Sequence, residues 1–218
     1  MDELFNYRLD ALNYKERFIR FMADNNVLQF GEFRLQSGRV SPYYIDTGRC
    51  RSASQIAKLG AFYAECMQEN NIEANVLLCN TNREIPVMLA ASMVLFKKYG
   101  IDIHYSIDDT VGKSLEESDR VILIKDTLTS GRTLKANLDA LCHGTVRPVT
   151  NVVVSVDRME RGDRSARSAK REIEQKYGAK VYAIVTVDDI IRAVEKGIVG
   201  SREHMDALKQ YRATYIGE

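Results

Sequence analysis

Val121-Ile122-Leu123-Ile124-Lys125-Asp126-Thr127-Leu128-Thr129-Ser130-Gly131-Arg132-Thr133 leads an apolar run through a polar loop toward a helix. Val121 to Ile124 shows no polar alternation, which predicts a strand buried on both faces. Gly131 then lets the backbone approach a ligand closely, and Thr129, Ser130 and Thr133 add hydroxyl donors. A helix predicted over Leu134 to Leu141 opens with unpaired N–H groups carrying partial positive charge, so a phosphate fits there. The same residues also suit a plain N-cap after a buried strand, and this segment alone leaves both readings open.

Outward from it the pattern repeats. Ala53 to Asn70 brings Ile56, Leu59, Phe62, Tyr63 and Met67 round at helical spacing, and Val76-Leu77-Leu78-Cys79 is strand-like. Val87 to Phe96 predicts a helix, Ile101 to Tyr105 a short strand, and Val149 to Val156 and Val181 to Val187 two more strands. Short apolar runs alternating with amphipathic helices define an α/β fold with a parallel sheet covered on both faces, and ligands on such sheets bind at the carboxyl ends of the strands. Near the start, Tyr14 to Met22 predicts an amphipathic helix, and Phe30 to Leu35 with Tyr43-Tyr44-Ile45 flank the turn Ser37-Gly38-Arg39 as a hairpin. The expected layout is one domain: a helix and hairpin over about 14–50, a core over about 53–190 and a C-terminal helix over about 201–213.

Composition excludes several classes. The 218 residues suffice for one α/β domain, and 31 basic against 30 acidic residues leave a formal charge of +1, so no global field draws the chain to nucleic acid or acidic lipid. Arg158, Arg161, Arg164, Arg167, Lys170 and Arg171 form a basic run whose latter part is expected as the solvated face of a helix starting near Ser165, with Glu172 and Glu174 as partners. Nucleic-acid contact is the alternative use of that run. Cys50, Cys66, Cys79 and Cys142 form no C-x-x-C pair and are expected as reduced, mostly core residues; His104, His143 and His204 show no zinc spacing, so no metal is expected. With no basic-then-apolar leader and no apolar stretch near the roughly 20 residues of a membrane span, the expected compartment is the cytosol.

Val121 to Thr133 resembles the phosphoribosyl pyrophosphate signature of type I phosphoribosyltransferases: an apolar strand, two acids, and a loop for the 5'-phosphate. Phe30-Gly31-Glu32-Phe33, Ser37-Gly38-Arg39 with Ser41-Pro42-Tyr43, and Asp157-Arg158-Met159-Glu160-Arg161-Gly162 are similar in kind and order to orotate phosphoribosyltransferase, from about Tyr14 to the C-terminal helix. The resemblance implies a five-stranded parallel sheet, an N-terminal hood over the base site, and a symmetric homodimer. It implies a glycosyltransferase of pyrimidine biosynthesis that takes orotate and phosphoribosyl pyrophosphate, with magnesium accompanying the latter, to orotidine monophosphate. By the same resemblance Thr129, Ser130, Gly131, Arg132 and Thr133 surround the 5'-phosphate, Asp126 lies near the ribose, Tyr44 and Ile45 border the base, and Arg158 grips the base carboxylate. A surface ion pair with Glu160 or Asp157 is the competing role for Arg158.

The chain departs from that pattern where the family manages the leaving diphosphate. Lys125 stands at the first signature acid, Arg83 and Glu84 replace a lysine and a glycine in Asn80-Thr81-Asn82-Arg83-Glu84-Ile85-Pro86, and Gln36 replaces the lysine before Ser-Gly-Arg. Ser106 to Asp119, in place of a lysine-rich mobile loop with a His-Gly pair, holds Lys113 against Asp108, Asp109, Glu116, Glu117 and Asp119. Each lost stabiliser of transition-state charge costs about 2.7–4 kcal/mol, so impaired transfer with retained binding of a phosphoribosyl ligand is the favoured expectation. An active enzyme with a rebuilt site using Arg83, Lys125 and Lys113, and a nucleic-acid-binding regulator, are the alternatives.

Overall fold

The computed structural model describes residues 12–35, 38–143, 149–162 and 165–218. Helix α1 (Tyr14–Asp24) starts from a capping box in which Asn13 and Glu16 satisfy each other's backbone N–H groups. Strands β1 (Leu28–Arg34) and β2 (Val40–Ile45) pair antiparallel, with a register irregularity between Phe30 and Phe33. This is the expected hairpin; Gln36 and Ser37 lie outside the described residues.

The chain then builds its main sheet: α2 (Ala53–Glu69), β3 (Val76–Cys79), α3 (Ile85–Tyr99), β4 (His104–Ile107), β5 (Val111–Gly112), β6 (Val121–Leu128), α4 (Arg132–His143), β7 (Val149–Asp157), α5 (Ala169–Tyr177), β8 (Lys180–Thr186), α6 (Val187–Glu195) and α7 (Arg202–Tyr215). Strand order is β5-β4-β3-β6-β7-β8, parallel from β4 to β8. The type I phosphoribosyltransferase-like arrangement is thus present, with helices on both faces. Alternation along the strands explains the two layers. Ile122 and Ile124 face a core with α1, α2, α3, α6 and α7, whereas Val121 and Leu123 face one with α4 and α5.

Four expectations need correction. The implied five-stranded sheet has a sixth strand, β5, which runs antiparallel to β4 after a turn with Asp108 and Asp109 at φ +51° and +53°. Strand β4 sits later than Ile101–Tyr105, because parallel pairing places His104 opposite Val76. The helix of the basic run begins at Ala169 behind the Ser168 cap rather than near Ser165, so Arg167 precedes it and shares no helical face with Lys170. Val187 opens α6, a helix the strand-like reading of Val181 to Val187 missed; Val187, Ile190, Ile191 and Val194 bury its inner face behind a Thr186–Asp189 capping box.

Of the described residues, no helix is long and apolar enough to cross a membrane. Cys50, Cys66 and Cys79 are buried and free, and burial pushes their thiols up to about 11, 12 and 11 respectively. The Cys142 side chain lies outside the description.

Candidate functional site

Strand order reverses beside β3: the chain leaves it for β4 on one side and returns at β6 on the other. The carboxyl ends of β3 and β6 therefore border the crevice where open α/β sheets bind ligands. Their two outgoing loops, Asn80–Glu84 and Thr129–Gly131, form its walls.

On the β6 side the backbone turns at Gly131 with φ +75°, and a Cβ there would lie 3.1 Å from that of Ala169. The left-handed conformation favours glycine, and a Cβ would also make a tight contact there. Ser130 is buried, whereas Arg132 and Thr133 are exposed at the first turn of α4. Thr129 to Thr133 are thus gathered around one helix start, as the sequence suggested.

Asp126 points to the opposite sheet face from Lys125. Ser155 Oγ donates to its Oδ1 (3.1 Å) and to its carbonyl (2.7 Å). Burial raises the Asp126 carboxyl above its ordinary range, outweighing a Thr47 hydrogen bond, the nearby Arg83 charge and Ser155. Arg83 Nε stands 4.0 Å from Asp126 Oδ2, and its Nη2 donates to Asp46 Oδ1, so this half-exposed arginine spans from the end of β2 to the end of β6. Asp46 was not foreseen; an acid just past a predicted strand carries no signal of its own.

On the β3 side the geometry joins two departures that stand far apart in the sequence. Lys125 Nζ lies 2.7 Å from Glu84 Oε1, with side chains 8% and 7% exposed. Lys125 also donates to Asn80 Oδ1 (3.0 Å), which accepts from Asn137 Nδ2 of α4 (3.2 Å), and Thr81 Oγ1 donates to Glu84 Oε2. The two departures neutralise each other inside one buried network. Lys113 is engaged elsewhere: its Nζ pairs with Asp119 Oδ2 at 2.7 Å, beside donors from Glu116 N (2.7 Å) and Asn75 Nδ2 (2.8 Å). Although burial opposes it, these bonds hold the Asp119 carboxyl below its ordinary range.

Arg158 is buried rather than at the surface. Its Nε donates to Glu160 Oε1 (2.7 Å), its Nη2 to Ser41 Oγ (2.8 Å) and Tyr211 Oη (3.1 Å), and its guanidinium lies 4.0 Å from the Tyr43 ring centroid. Glu160 also accepts from Arg39 (2.6 Å) and Tyr211 (2.7 Å). The surface pair considered from sequence is instead an internal hub joining β2, the end of β7 and α7. Tyr44 is exposed and stacks on Phe33 with centroids 5.5 Å apart, while Ile45 is buried in the core. The basic run disperses: Arg167 bonds Gln175 (2.7 Å), Lys170 approaches Glu174 (3.9 Å), and Glu172 pairs with Lys135 of α4. Among the described residues, no group of three or more His, Cys, Asp or Glu could hold a metal ion.

A parallel sheet with this order, a hairpin hood and a glycine-turned loop after a signature strand define the type I phosphoribosyltransferase class. No family model matches the chain. It is 34% identical over 215 residues to the orotate phosphoribosyltransferase of Hamiltonella defensa subsp. Acyrthosiphon pisum, covering 93% of this chain and 95% of the relative. It is 33% identical over 205 residues to that of Clostridium acetobutylicum, covering 88% and 91%. The crystal structure of the Francisella tularensis orotate phosphoribosyltransferase superposes with a TM-score of 0.80 at 31% identity, over 92% of this chain and 100% of that one. The chain belongs to the orotate phosphoribosyltransferase family.

Proposed function

We propose that the chain catalyses orotate phosphoribosyl transfer, joining orotate to phosphoribosyl pyrophosphate with release of diphosphate in pyrimidine biosynthesis. The observation that supports this most is the glycine-turned Thr129–Thr133 loop beside Asp126 at the sheet's switch crevice, in a member of this family. In this reading the loop takes the 5'-phosphate, Asp126 faces the ribose, and the base lies under the hood beside Tyr44 and Ile45. Gln36, which lies outside the described residues, belongs to the base site in this reading. Arg158, whose Nε and Nη2 are committed to Glu160 and Ser41, meets the base carboxylate in this reading.

Arg83 faces the leaving diphosphate, whose magnesium arrives as part of the substrate. Asp126 fits such an ion as a single carboxylate, since the adjacent Lys125 is cationic and bound to Glu84. In the same reading the chain works as a homodimer in the cytosol.

A second reading is favoured by the ion pairs Lys125–Glu84 and Lys113–Asp119, which commit two cations within the protein. There the chain binds a phosphoribosyl ligand such as orotidine monophosphate while transfer is impaired. Following orotate consumption with phosphoribosyl pyrophosphate and magnesium separates the two. Turnover near the enzyme median of about 10 per second supports transfer, and turnover at least a hundredfold lower with saturable orotidine monophosphate binding supports the second. Neither turnover nor binding defeats both.

A further inference from the structure

A buried lysine and a buried glutamate are each untenable alone, because removing one partner leaves an uncompensated charge in a low-dielectric setting. Here they come from different segments, Glu84 from the end of the β3–α3 loop and Lys125 from within β6, and meet at 2.7 Å. Asn80, Asn137 and Thr81 complete the network. The pair thus lies between the two strands that border the switch crevice, within the chain segment that leads to the Thr129–Thr133 loop. Structural adhesion explains it poorly, since a buried pair contributes little net stability compared with apolar residues of similar volume. A role in selecting what enters the crevice explains why charge is retained there.

We infer that Glu84 is a tethered competitor for the anionic end of the ligand. Its carboxylate occupies Lys125, so a phosphate group arriving on the β3 side must displace a covalently attached anion whose effective concentration never falls. The consequence is a weakened hold on diphosphate at this wall: free pyrophosphate, the group released in the proposed transfer, binds less tightly than it would to an unpaired Lys125. This rests on reading the crevice as a phosphoribosyl site.

The test uses the full chain, with calorimetric titration of inorganic pyrophosphate and, separately, of orotidine monophosphate. Glu84→Gln keeps the shape and the Thr81 contact while removing the charge. It is expected to tighten pyrophosphate binding at least tenfold and to change orotidine monophosphate affinity less than threefold. In Glu84→Gln/Lys125→Met the gain is expected to vanish, which identifies Lys125 as the released cation. Should the single variant not fold, Glu84→Gly, which opens space for water at the ammonium, takes its place with the same expectations. Pyrophosphate affinity unmoved in a folded Glu84 variant that still binds orotidine monophosphate overturns the inference, as does a gain that survives loss of Lys125. Wild-type protein that fails to bind orotidine monophosphate, beside a variant that gains pyrophosphate through Lys125, instead rejects the phosphoribosyl reading and leaves the competitor role standing.

Discussion

The two walls of the crevice have the same construction, a parallel strand feeding a helix through a short loop, and opposite uses of their polar groups. On the β6–α4 wall, Gly131 and the hydroxyl-bearing residues around it are arranged at an exposed helix start. On the β3–α3 wall, Glu84, Thr81 and Asn80 bond one another or Lys125. The difference shows that an inherited architecture does not fix an electrostatic function. A carboxylate and an ammonium brought together make one neutral unit, whereas a glycine turn at a helix start carries no such internal ion pair.

The comparison breaks most visibly at Lys125. Lys125→Met strands the Glu84 carboxylate and is expected to cost about 3–5 kcal/mol in chemical denaturation, with Glu84→Gln/Lys125→Met recovering most of it. A single-variant cost below 1 kcal/mol would mean the pair is not buried as described. On the other wall, Gly131→Ala forces a side chain into the φ +75° turn beside Ala169 and is expected to cost about 1–2 kcal/mol. It should also weaken orotidine monophosphate at least tenfold; unchanged affinity would remove the loop from the binding site.

Asp126 lies between the walls and sharpens the contrast. Because burial raises its folded-state carboxyl, the fold disfavours the ionised form, so its contribution to stability declines as pH rises from the unfolded carboxylate range through the raised value. Asp126→Asn is therefore expected to stabilise the protein at neutral pH by about 1 kcal/mol while weakening ribose-containing ligands. A thermal melt with a lower midpoint would contradict this. The smallest effect concerns the segment after β4. The depressed Asp119 carboxyl supplies stability above its unfolded value of 3.8, lost as pH falls through the folded value. Amide exchange at Leu115 and Glu116 should quicken relative to β6 below about pH 4, and exchange indifferent to pH, after correction for intrinsic rates, would sever Asp119 from the fold of this segment.

Most of the sheet was legible because burial on both faces leaves an unmistakable apolar run, as in Val76–Cys79 and Val149–Val156. Where periodicity was shared between elements, it misled: Val187 ends one apolar run and begins another at helical spacing, so α6 was absorbed into a strand. Strand β5 has too few residues for any period, and its turn depends on positive φ at two aspartates. Of the candidate site, the gathering of Thr129–Thr133 was legible, since those residues are contiguous and local conformation suffices to assemble them. The company kept by Arg158 was not: Ser41 and Tyr211 reach it from either end of the chain.

Alone, the sequence determined the order of most strands and helices, the place of the glycine turn and the family likeness, all properties carried by neighbouring residues and by repetition along the chain. Only the tertiary structure decided which charges face each other. Coulombic interaction depends on separation and burial, and nothing in one dimension reports that Glu84 and Lys125 come to lie 2.7 Å apart.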